Sequence, residues 1–412
     1  MEDVQLYTIL LGIMLPWRVT KVQVNMALNR VDVWVEEVAG TKFLCASCKQ
    51  EAPVYDHTEE QEWRHLDTCQ LQTFVHTRLP RTKCQKDGVK QIVSPWAEPR
   101  SQFTRLFEAR LIDMLKECDV TGVTRLSETS WDETWGVMLR AVTRGLARKK
   151  KRVPAHIGID EKSIGKGQKY ETIVCDLDRS VVEYVVDDRE QKSLERYFEQ
   201  FTEKALAEIN GIAMDMWDPY IAATRAHIPE ADEKIVFDRY HATTQVTKAV
   251  DQVRRQEHKV LAARDDYRLK GTRYLWLWNE ENMPDWRREE FEGVKNADLK
   301  TGRAWAIKES LRSFWSYTYA KCAEKYFNAW YFWATHSKLT PIIAAAKTLK
   351  RHLPNLLTYF KHRITNATSE GINSKIQMIK LMACGYRNRE HYKAAIYFHC
   401  GGLDLYPRAK AA

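Results

Sequence analysis

The sequence predicts a multidomain α+β protein, and three observations support this prediction. At 412 residues the chain exceeds one average domain, so we expect about two to four domains. Hydrophobic residues make up 44% of the chain, enough to form buried cores and too many for a disordered protein. Some segments alternate hydrophobic and polar residues as strands do, and other segments repeat hydrophobic residues with the period of a helix. This change of pattern predicts separate regions of different architecture.

Residues 1–99 are predicted to form an N-terminal strand and zinc-binding region. Residues 1–40 have the pattern of a short helix followed by alternating strands, as in WRVTKVQVNMALNRVDVWVEEV. Residues 41–99 contain cysteines, histidines and turn residues with little periodicity. Cys45 and Cys48 have the spacing of a metal-binding knuckle. Without a metal they would be plain buried thiols.

Residues 100–152 are predicted to form a helix-turn-helix and a basic linker. Thr129 or Ser130 would cap the last helix. The basic run from Arg148 to Arg152 has the composition of a linker. The amphipathic stretches that predict the helices are Phe103 to Cys118, Val123 to Ser127 and Asp132 to Ala147.

From residue 153 onward, strands and helices alternate in the order of a ribonuclease-H-like α/β core. Three strands, a helix, a strand, a helix and a fifth strand are predicted over residues 153–245. Residues 246–360 are helical and rich in tryptophan, and we expect an all-α insertion there. Its tryptophans are expected to be mainly packing anchors. A further helix would close the core within residues 361–412, which also contain the tail.

Three carboxylates are the candidate catalytic and metal-binding groups: Asp160, Asp215 and Glu370. Each aspartate closes a short apolar strand, and Glu370 opens the late helix. Such an arrangement suits two divalent cations, which activate a nucleophile and neutralise the leaving oxygen in phosphodiester chemistry. Taken singly, each acid could instead be a turn, cap or helix-dipole residue. The nearby competitors are Glu161, Asp218 and Asp238.

The chain resembles the ISL3 family of bacterial insertion-sequence transposases in three segments around these acids: HIGIDEKSIGKGQKY, AMDMWDPYIAATRAHIPEADEKIVFDRYH and TNATSEGINSKIQMIKLMACGYRN. The resemblance implies a ribonuclease-H-like core with a DDE triad, preceded by a zinc-binding segment and a helix-turn-helix. Asp160, Asp215 and Glu370 match its three acids. It implies cleavage and strand transfer of DNA at terminal inverted repeats, with two magnesium ions that manganese could replace.

The resemblance also implies a structural zinc ion. The second half of its site would lie at Cys84 and Asp87, where Asp87 stands in the place of a family cysteine or histidine. Aspartate can bind zinc, although it is less usual in structural sites. The spare ligands that could complete the site are His57, His65 and Cys69.

Candidate DNA contacts lie on the last predicted helix of the helix-turn-helix, in the linker and beside the acids. Arg140, Arg144 and Arg148 recur every four residues and would share one face, which could read guanine edges. Alternatively, the helices form a generic bundle with a solvated basic face. The linker residues that would grip phosphates are Lys149, Lys150, Lys151 and Arg152. The candidates beside the acids are Trp217, Arg239 and His241.

The segment from Asp238 to His241 resembles a Cys/Asp-x-x-His element of related transposases. In that interpretation His241 steadies a catalytic group or the DNA. In the alternative, Asp238 caps the following helix and His241 packs on the face of that helix.

The composition is compatible with a polyanionic partner, because the formal net charge is +9 and the sequence pI is about 8.9. The resemblance implies double-stranded DNA as partner, and a homodimer or higher oligomer to hold two ends together. Leu6 to Leu15 is apolar, but it lacks the basic start of a signal peptide and is too short to span a bilayer. Nine scattered cysteines favour a reducing cytoplasm. The resemblance implies that this is a bacterial cytoplasm, with the protein associated with the nucleoid.

Other functions remain open at this level. A non-catalytic DNA-binding regulator would retain the zinc segment and helix-turn-helix over an inactive core. A ribonuclease-H-like nuclease or junction resolvase would cut without joining. A zinc hydrolase using Cys45 and Cys48 is disfavoured, because no neighbouring residue supplies an open coordination position with a base.

Overall fold

The computed structural model describes residues 2–165, 169–365 and 367–408. The chain divides into two compact units, residues 1–149 with 380–412 and residues 150–379. The division at residue 149 falls within the predicted basic linker. The division at residue 379 splits the predicted closing region 361–412, so the tail belongs to the first unit.

The first unit begins with a short helix and continues through eight strands and three helices. Their bounds are α1 (Asp3–Leu10), β1 (Trp17–Asn25), β2 (Arg30–Glu37), β3 (Lys42–Leu44), β4 (Glu51–His57), β5 (Gln61–Thr68), β6 (Leu71–Thr77), β7 (Pro80–Cys84), β8 (Gly88–Gln91), α2 (Arg105–Glu117), α3 (Val120–Ser127) and α4 (Trp131–Arg148).

Two four-stranded sheets organise the beginning of this unit. The first has the order β1-β2-β6-β5, with β2 and β6 parallel and the other pairs antiparallel. Alternation along β2 buries Val31, Val33 and Val35 completely. The second sheet, β3-β4-β7-β8, is antiparallel throughout. Its strands were not predicted, because their short and mostly polar sequences carry little periodicity.

The helices α2, α3 and α4 each begin at a side chain that accepts a backbone N–H. Thr104 caps α2, Asp119 caps α3 and Ser130 caps α4. At α4 the cap is reciprocal, since Glu133 accepts the backbone N–H of Ser130. The predicted helices are therefore confirmed, and Ser130 rather than Thr129 is the cap of the last one.

The second unit contains five strands followed by a long helical region. Its elements are β9 (His156–Gly165), β10 (Lys169–Asp176), β11 (Val181–Asp187), α5 (Gln191–Phe198), α6 (Glu203–Ala207), β12 (Gly211–Met214), α7 (Asp218–His227), α8 (Ala231–Lys234), β13 (Ile235–Phe237), α9 (Arg239–Ala262), α10 (Arg273–Leu277), α11 (Asp285–Lys295), α12 (Lys300–Leu311), α13 (Ala320–Thr335), α14 (Thr340–Arg351), α15 (Leu353–Leu357), α16 (Tyr359–His362) and α17 (Ala367–Met382).

The five strands form one mixed sheet in the order β11-β10-β9-β12-β13. The strand β10 is antiparallel to both of its neighbours, β9 and β11, whereas β12 is parallel to both of its neighbours, β9 and β13. Ile157 and Ile159 of β9 and Ile212 and Met214 of β12 are fully buried in the core of this unit. The strand β12 thus ends inside the core, opposite Ile159 in the middle of β9.

Helices occupy the chain between β13 and α17, and no strand is assigned among the described residues of this stretch. Most of its tryptophans are packing residues, as the sequence predicted, and Trp286 and Trp333 are the exposed ones. The buried or partly buried tryptophans are Trp276, Trp278, Trp305, Trp315 and Trp330.

The last helix, α18 (Arg389–Cys400), lies in the first unit. It packs on α4, where the His391 ring lies 4.3 Å from the Trp135 ring and 5.9 Å from the Trp131 ring. None of the helices in the described chain has the length and apolar character needed to cross a membrane.

Candidate active site and zinc site

Asp160 lies in the middle of β9, whereas Asp215 directly follows the last residue of the parallel strand β12. The expectation that Asp160 closes its strand is wrong, because β9 continues to pair with β10 as far as Gly165. Ile159 of β9 pairs with Met214 of β12, and each aspartate directly follows its member of this pair. Asp160 is 8% exposed, and its Oδ1 accepts the backbone N–H of Glu161 at 2.7 Å. Burial and the nearby charge of Asp215 raise the pKa of Asp160 to about 6. The sheet therefore brings two of the three predicted acids together.

Asp215 is held on one side only. Its Oδ2 lies 3.0 Å from Nδ1 of His241, while its Oδ1 is buried without a hydrogen-bond partner in the described part of the chain. Burial opposes the charged form of His241, but the hydrogen bond and charge of Asp215 outweigh it and raise the pKa of His241. A buried, unpartnered carboxylate oxygen beside a second buried carboxylate fits a hard divalent cation.

The helix α17 reaches the same place through Asn373. The amide Nδ2 of Asn373 donates to Oδ2 of Asp160, and Lys162 Nζ donates to the backbone carbonyl of Asn373 at 3.3 Å. Glu370 precedes Asn373 by three residues, which places it on the same side of the helix. Its carboxylate is exposed and makes no hydrogen bond or ion pair with any residue that the structure describes. The helix that carries the third acid thus contacts Asp160 through Asn373, but the carboxylate of Glu370 does not contact Asp160 or Asp215.

The competing acids have other partners. Asp238 caps α9, because its side chain accepts the backbone N–H of His241 at 3.1 Å. Glu161 lies 3.3 Å from the guanidinium of Arg189. Asp218 is the first residue of α7. The alternative interpretation of Asp238 as a cap is therefore confirmed, and His241 in addition holds Asp215.

Trp217 and Arg239 have intramolecular partners beside the acids. The indole Nε1 of Trp217 donates to the carbonyl of Arg189 at 3.1 Å, and the Arg189 guanidinium lies over the Trp217 ring at 4.6 Å. The Arg239 guanidinium lies over the Trp315 ring at 5.6 Å. Arg189 and Asn373 were not identified from the sequence. Only the spacing of Asn373, one helical turn after Glu370, could have indicated it.

A second cluster joins the two hairpins of the small sheet. Cys45 and Cys48 lie between β3 and β4, whereas Cys84 and Asp87 lie at the β7–β8 turn. One potential ligand atom from each lies within 4.8 Å of all the others. Cys48 Sγ is 3.4 Å from Cys84 Sγ, and Cys45 Sγ is 3.5 Å from Asp87 Oδ2. Three thiols and one carboxylate in this arrangement fit a tetrahedral zinc ion.

The spare ligands lie in other contacts. His57 pairs with Glu37 at 2.6 Å, and Cys69 is exposed. His65 Nδ1 is 2.9 Å from the hydroxyl of Thr104, and burial lowers the pKa of His65 to about 4. The structure therefore brings Asp87 to the three cysteines rather than any of these residues.

The three arginines of α4 are held within the first unit. Arg140 and Arg144 pair with Glu108, which is 1% exposed, at 2.9 and 3.1 Å. Arg144 also donates to the carbonyl of Leu405 at 2.6 Å, and Arg148 donates to the carbonyl of Tyr406 at 2.7 Å. They share one face, as the spacing predicted, but this face packs on α2 and on the C-terminal segment.

The linker residues differ in their contacts. Lys149 Nζ donates to the carbonyl of Gly401 at 3.4 Å, and Arg152 pairs with the buried carboxylate of Asp176 at 2.6 Å. Lys150 and Lys151 are exposed. The linker cations that remain open to solvent are thus mainly these two lysines.

Three family profiles match successive parts of the chain. They describe the zinc finger of transposases IS204, IS1001, IS1096 and IS1165 at residues 41–87, the helix-turn-helix domain of transposase family ISL3 at residues 92–142, and the ISL3 DDE transposase at residues 157–396. The first supports a structural zinc ion, and the second implies DNA binding.

Two curated relatives match along most of their length. The chain is 25% identical over 358 residues to the transposase for insertion sequence element IS1001 of Bordetella parapertussis, covering 85% of this chain and 86% of that protein. It is 24% identical over 373 residues to the transposase for insertion sequence element IS1557 of Mycobacterium tuberculosis, covering 84% and 82%. Because the transposase profile also matches more than half of the chain, the protein belongs to the ISL3 family of transposases.

Proposed function

We propose that this transposase binds the terminal inverted repeats of its own insertion sequence and catalyses metal-dependent DNA cleavage and strand transfer. Asp160, Asp215 and Glu370 would be its catalytic acids. The unit that carries them would be a ribonuclease-H-like core with an all-α insertion. The support for this core is its sheet, in which three antiparallel strands precede two parallel ones.

One observation carries the catalytic assignment. The hydrogen bond from Asn373 to Asp160 holds α17 against the middle of β9. Residues three apart on a helix have Cβ atoms about 5–6 Å from each other, so Glu370 starts within one turn of the acid pair. A change of side-chain rotamer at an exposed position costs little, and it could bring the Glu370 carboxylate toward a cation between the two aspartates.

Asp160 and Asp215 would hold a divalent cation, and Glu370 would complete a second position. Magnesium is the proposed ion, with manganese as a substitute. When bound, two such ions activate the attacking oxygen and neutralise the leaving one. His241 fixes Oδ2 of Asp215 and leaves the unpartnered Oδ1 available. Asn373 orients Asp160 in the same way from the other side. Water would be the nucleophile for cleavage, and a 3′-hydroxyl the nucleophile for joining.

The zinc ion proposed at Cys45, Cys48, Cys84 and Asp87 would be structural. Its support is the donor set, since three thiols and a carboxylate converge without leaving an open position for a reactant. Such a site would fix the two hairpins that surround it and would take no part in the DNA chemistry.

The helix-turn-helix would bind the terminal repeats, while Lys150 and Lys151 would contact phosphates. Trp217, Arg239 and His241 would contact DNA beside the acids. To contact DNA, Arg140, Arg144 and Arg148 would first have to give up their contacts with Glu108 and the C-terminal segment. Lys149 and Arg152 would likewise have to give up their contacts with Gly401 and Asp176. A homodimer or higher oligomer in the bacterial cytoplasm would hold both ends of the element.

Nicking of DNA that contains the element ends tests this function. We expect Asp160→Asn and Glu370→Gln to lower the metal-dependent nicking rate by roughly 100-fold or more, because each removes a charge that holds the ions. Asp298→Asn, at an exposed position, is the matched control and should nick as the wild type does.

The outcomes separate the alternatives. Equal nicking by wild type and Asp160→Asn would end the catalytic assignment. End-specific binding by a wild type that does not nick would identify a non-catalytic regulator. Nicking without strand-transfer products in a target plasmid would identify a nuclease.

A further inference from the structure

The helix α9 starts at the proposed active site. Asp238 caps it, and His241 in its first turn holds Asp215. It then continues for 24 residues to Ala262. At about 1.5 Å per residue, the distance from His241 to Lys259 along the axis is roughly 27 Å. The outer surface of this helix is therefore continuous with the place where a scissile phosphate would lie.

The two sides of α9 differ in chemistry. One side is apolar and buried against the core, including Ala242, Val246 and Val250. The other side carries polar or basic residues at alternating spacings of four and three, which places them in one row along the helix. This row, the α9 stripe, consists of His241, Gln245, Lys248, Gln252, Arg255 and Lys259. All of its members except the half-buried His241 are exposed.

The two carboxylates of α9 lie outside the stripe, but one of them, Asp251, pairs with the stripe residue Arg255 and partly neutralises it. Asp251 is 8% exposed and pairs with Arg254 at 2.8 Å and with Arg255 at 3.4 Å. Glu257 accepts the backbone N–H groups at the start of α12, from Lys300 at 2.8 Å and Thr301 at 2.7 Å. The stripe therefore carries cations and amides without a carboxylate, although the chain has 55 acidic residues.

We propose that the α9 stripe binds the phosphate backbone of duplex DNA next to the scissile position. Lys248 and Lys259, with Arg255 between them partly neutralised by Asp251, place positive charge along a rigid helix, and Gln245 and Gln252 can donate to phosphate oxygens. At 3.4 Å per base pair, the stripe spans roughly 8 base pairs. This inference rests on the proposed function for its orientation, because it places one end of the DNA at Asp160 and Asp215.

The experiment compares two charge-matched double variants of the full-length protein. Lys248→Ala with Lys259→Ala removes two stripe cations that are exposed, and Lys321→Ala with Lys325→Ala removes two exposed cations from α13. Each variant is titrated with end-containing duplex DNA at several salt concentrations. Neutralising each phosphate contributes a slope of about 0.9 to the plot of log affinity against log salt. The stripe variant should therefore lose about 1.8 from that slope and bind at least roughly 10-fold more weakly at low salt.

A second arm tests the position of the stripe. Duplexes are shortened from the side that flanks the nick. The difference between wild type and stripe variant should shrink once fewer than about 8 base pairs remain on the flank that contacts α9, because Lys259 then has no phosphate, and it should vanish below about 3 base pairs, because Lys248 then has none either. The control variant should retain the wild-type slope and the wild-type dependence on length. An unchanged slope in the stripe variant, or equal losses in both double variants, would overturn the proposal.

The DNA-binding experiment, together with the nicking assay, distinguishes failure of the proposal for the α9 stripe from failure of the catalytic proposal. If the wild type nicks in a metal-dependent manner while the slope of the stripe variant is unchanged, the stripe alone is wrong. If the wild type does not nick, the catalytic proposal is wrong, and the slopes still decide whether α9 binds DNA.

Discussion

At the residue scale, Asp160 is a carboxylate whose surroundings oppose its own charge. It is buried beside Asp215, and the backbone N–H of Glu161, the charge of His241 and the amide of Asn373 compensate for this in part. Its pKa is therefore raised to about 6 in the folded protein. Residues that are unfavourable for stability and convergent in space are typical of functional sites. A bound cation would neutralise this unfavourable charge, because the ionised carboxylate would then be its ligand.

This predicts an effect of pH on the stability of the metal-free protein. A folded-state pKa above the unfolded one stabilises the fold at low pH, and this contribution is lost as the pH rises from about 4 through about 6. Asp160→Asn lacks the titrating group, so in magnesium-free buffer it should become more stable than wild type over this range, by about 2–3 kcal/mol above pH 7. Thermal unfolding from pH 4 to 8 measures the difference. Added magnesium should raise the melting temperature of the wild type alone. Parallel curves for both proteins would contradict the buried charge.

At the element scale, the small sheet around the cysteines cannot be stabilised by its own core. The buried residues of its cluster are Cys45, Ala52 and Cys84, with Cys48 partly buried beside them. So little apolar burial does not offset the entropy of ordering four short strands. The sheet therefore requires the cross-link that a zinc ion at the three cysteines and Asp87 would provide.

We expect Asp87→Ala to weaken zinc binding at least about 10- to 100-fold, because it opens the tetrahedral site to water. Asp87→Cys should restore or exceed the wild-type affinity, since a thiolate suits zinc better than a carboxylate. His57→Ala is the control and should retain zinc, because its side chain pairs with Glu37. The zinc content of each variant after competition with a chelator ranks their zinc affinities. Full retention by Asp87→Ala would remove Asp87 from the ligand set.

The elements that the sequence predicted correctly are those with strong local signals. The cap candidates Thr129 and Ser130 predicted the start of α4, and the apolar runs before Asp160 and Asp215 predicted two buried strands, although β9 extends beyond Asp160. The strands β3 to β8 were not predicted, because strand pairing rather than periodicity forms them. The partners of Arg140 and Arg144 depend on Glu108 and on a segment more than 250 positions away along the chain. Spacing on a helix shows that residues share a face, but not what covers that face.

At the scale of the whole molecule, the chain returns to its first unit after completing the second. Residues 380–412 supply α18 and a C-terminal segment to the unit that contains the zinc-binding sheet and the helix-turn-helix. Tyr406 accepts from Lys116 at 2.6 Å and donates to Asp113 at 2.5 Å, and both are residues of α2. Residues 404–406 therefore pack on the helix-turn-helix, and changes in this segment should act on the stability of α4.

Gly145 provides a test of this dependence, because α4 and the C-terminal segment meet there. A Cβ added at Gly145 would lie 2.7 Å from Cβ of Leu403, so Gly145→Ala should destabilise the first unit by about 1–3 kcal/mol despite the better helix propensity of alanine. In a Leu403→Gly background the same change should reverse sign and stabilise α4 by up to about 1 kcal/mol. Gly136→Ala, on the same helix, meets only the flexible Arg140 side chain and should be close to neutral. Hydrogen exchange of the α4 amides measures the stability of the helix in the three single variants and in the double variant. An equal cost of Gly145→Ala in both backgrounds would show that the tail does not pack on α4.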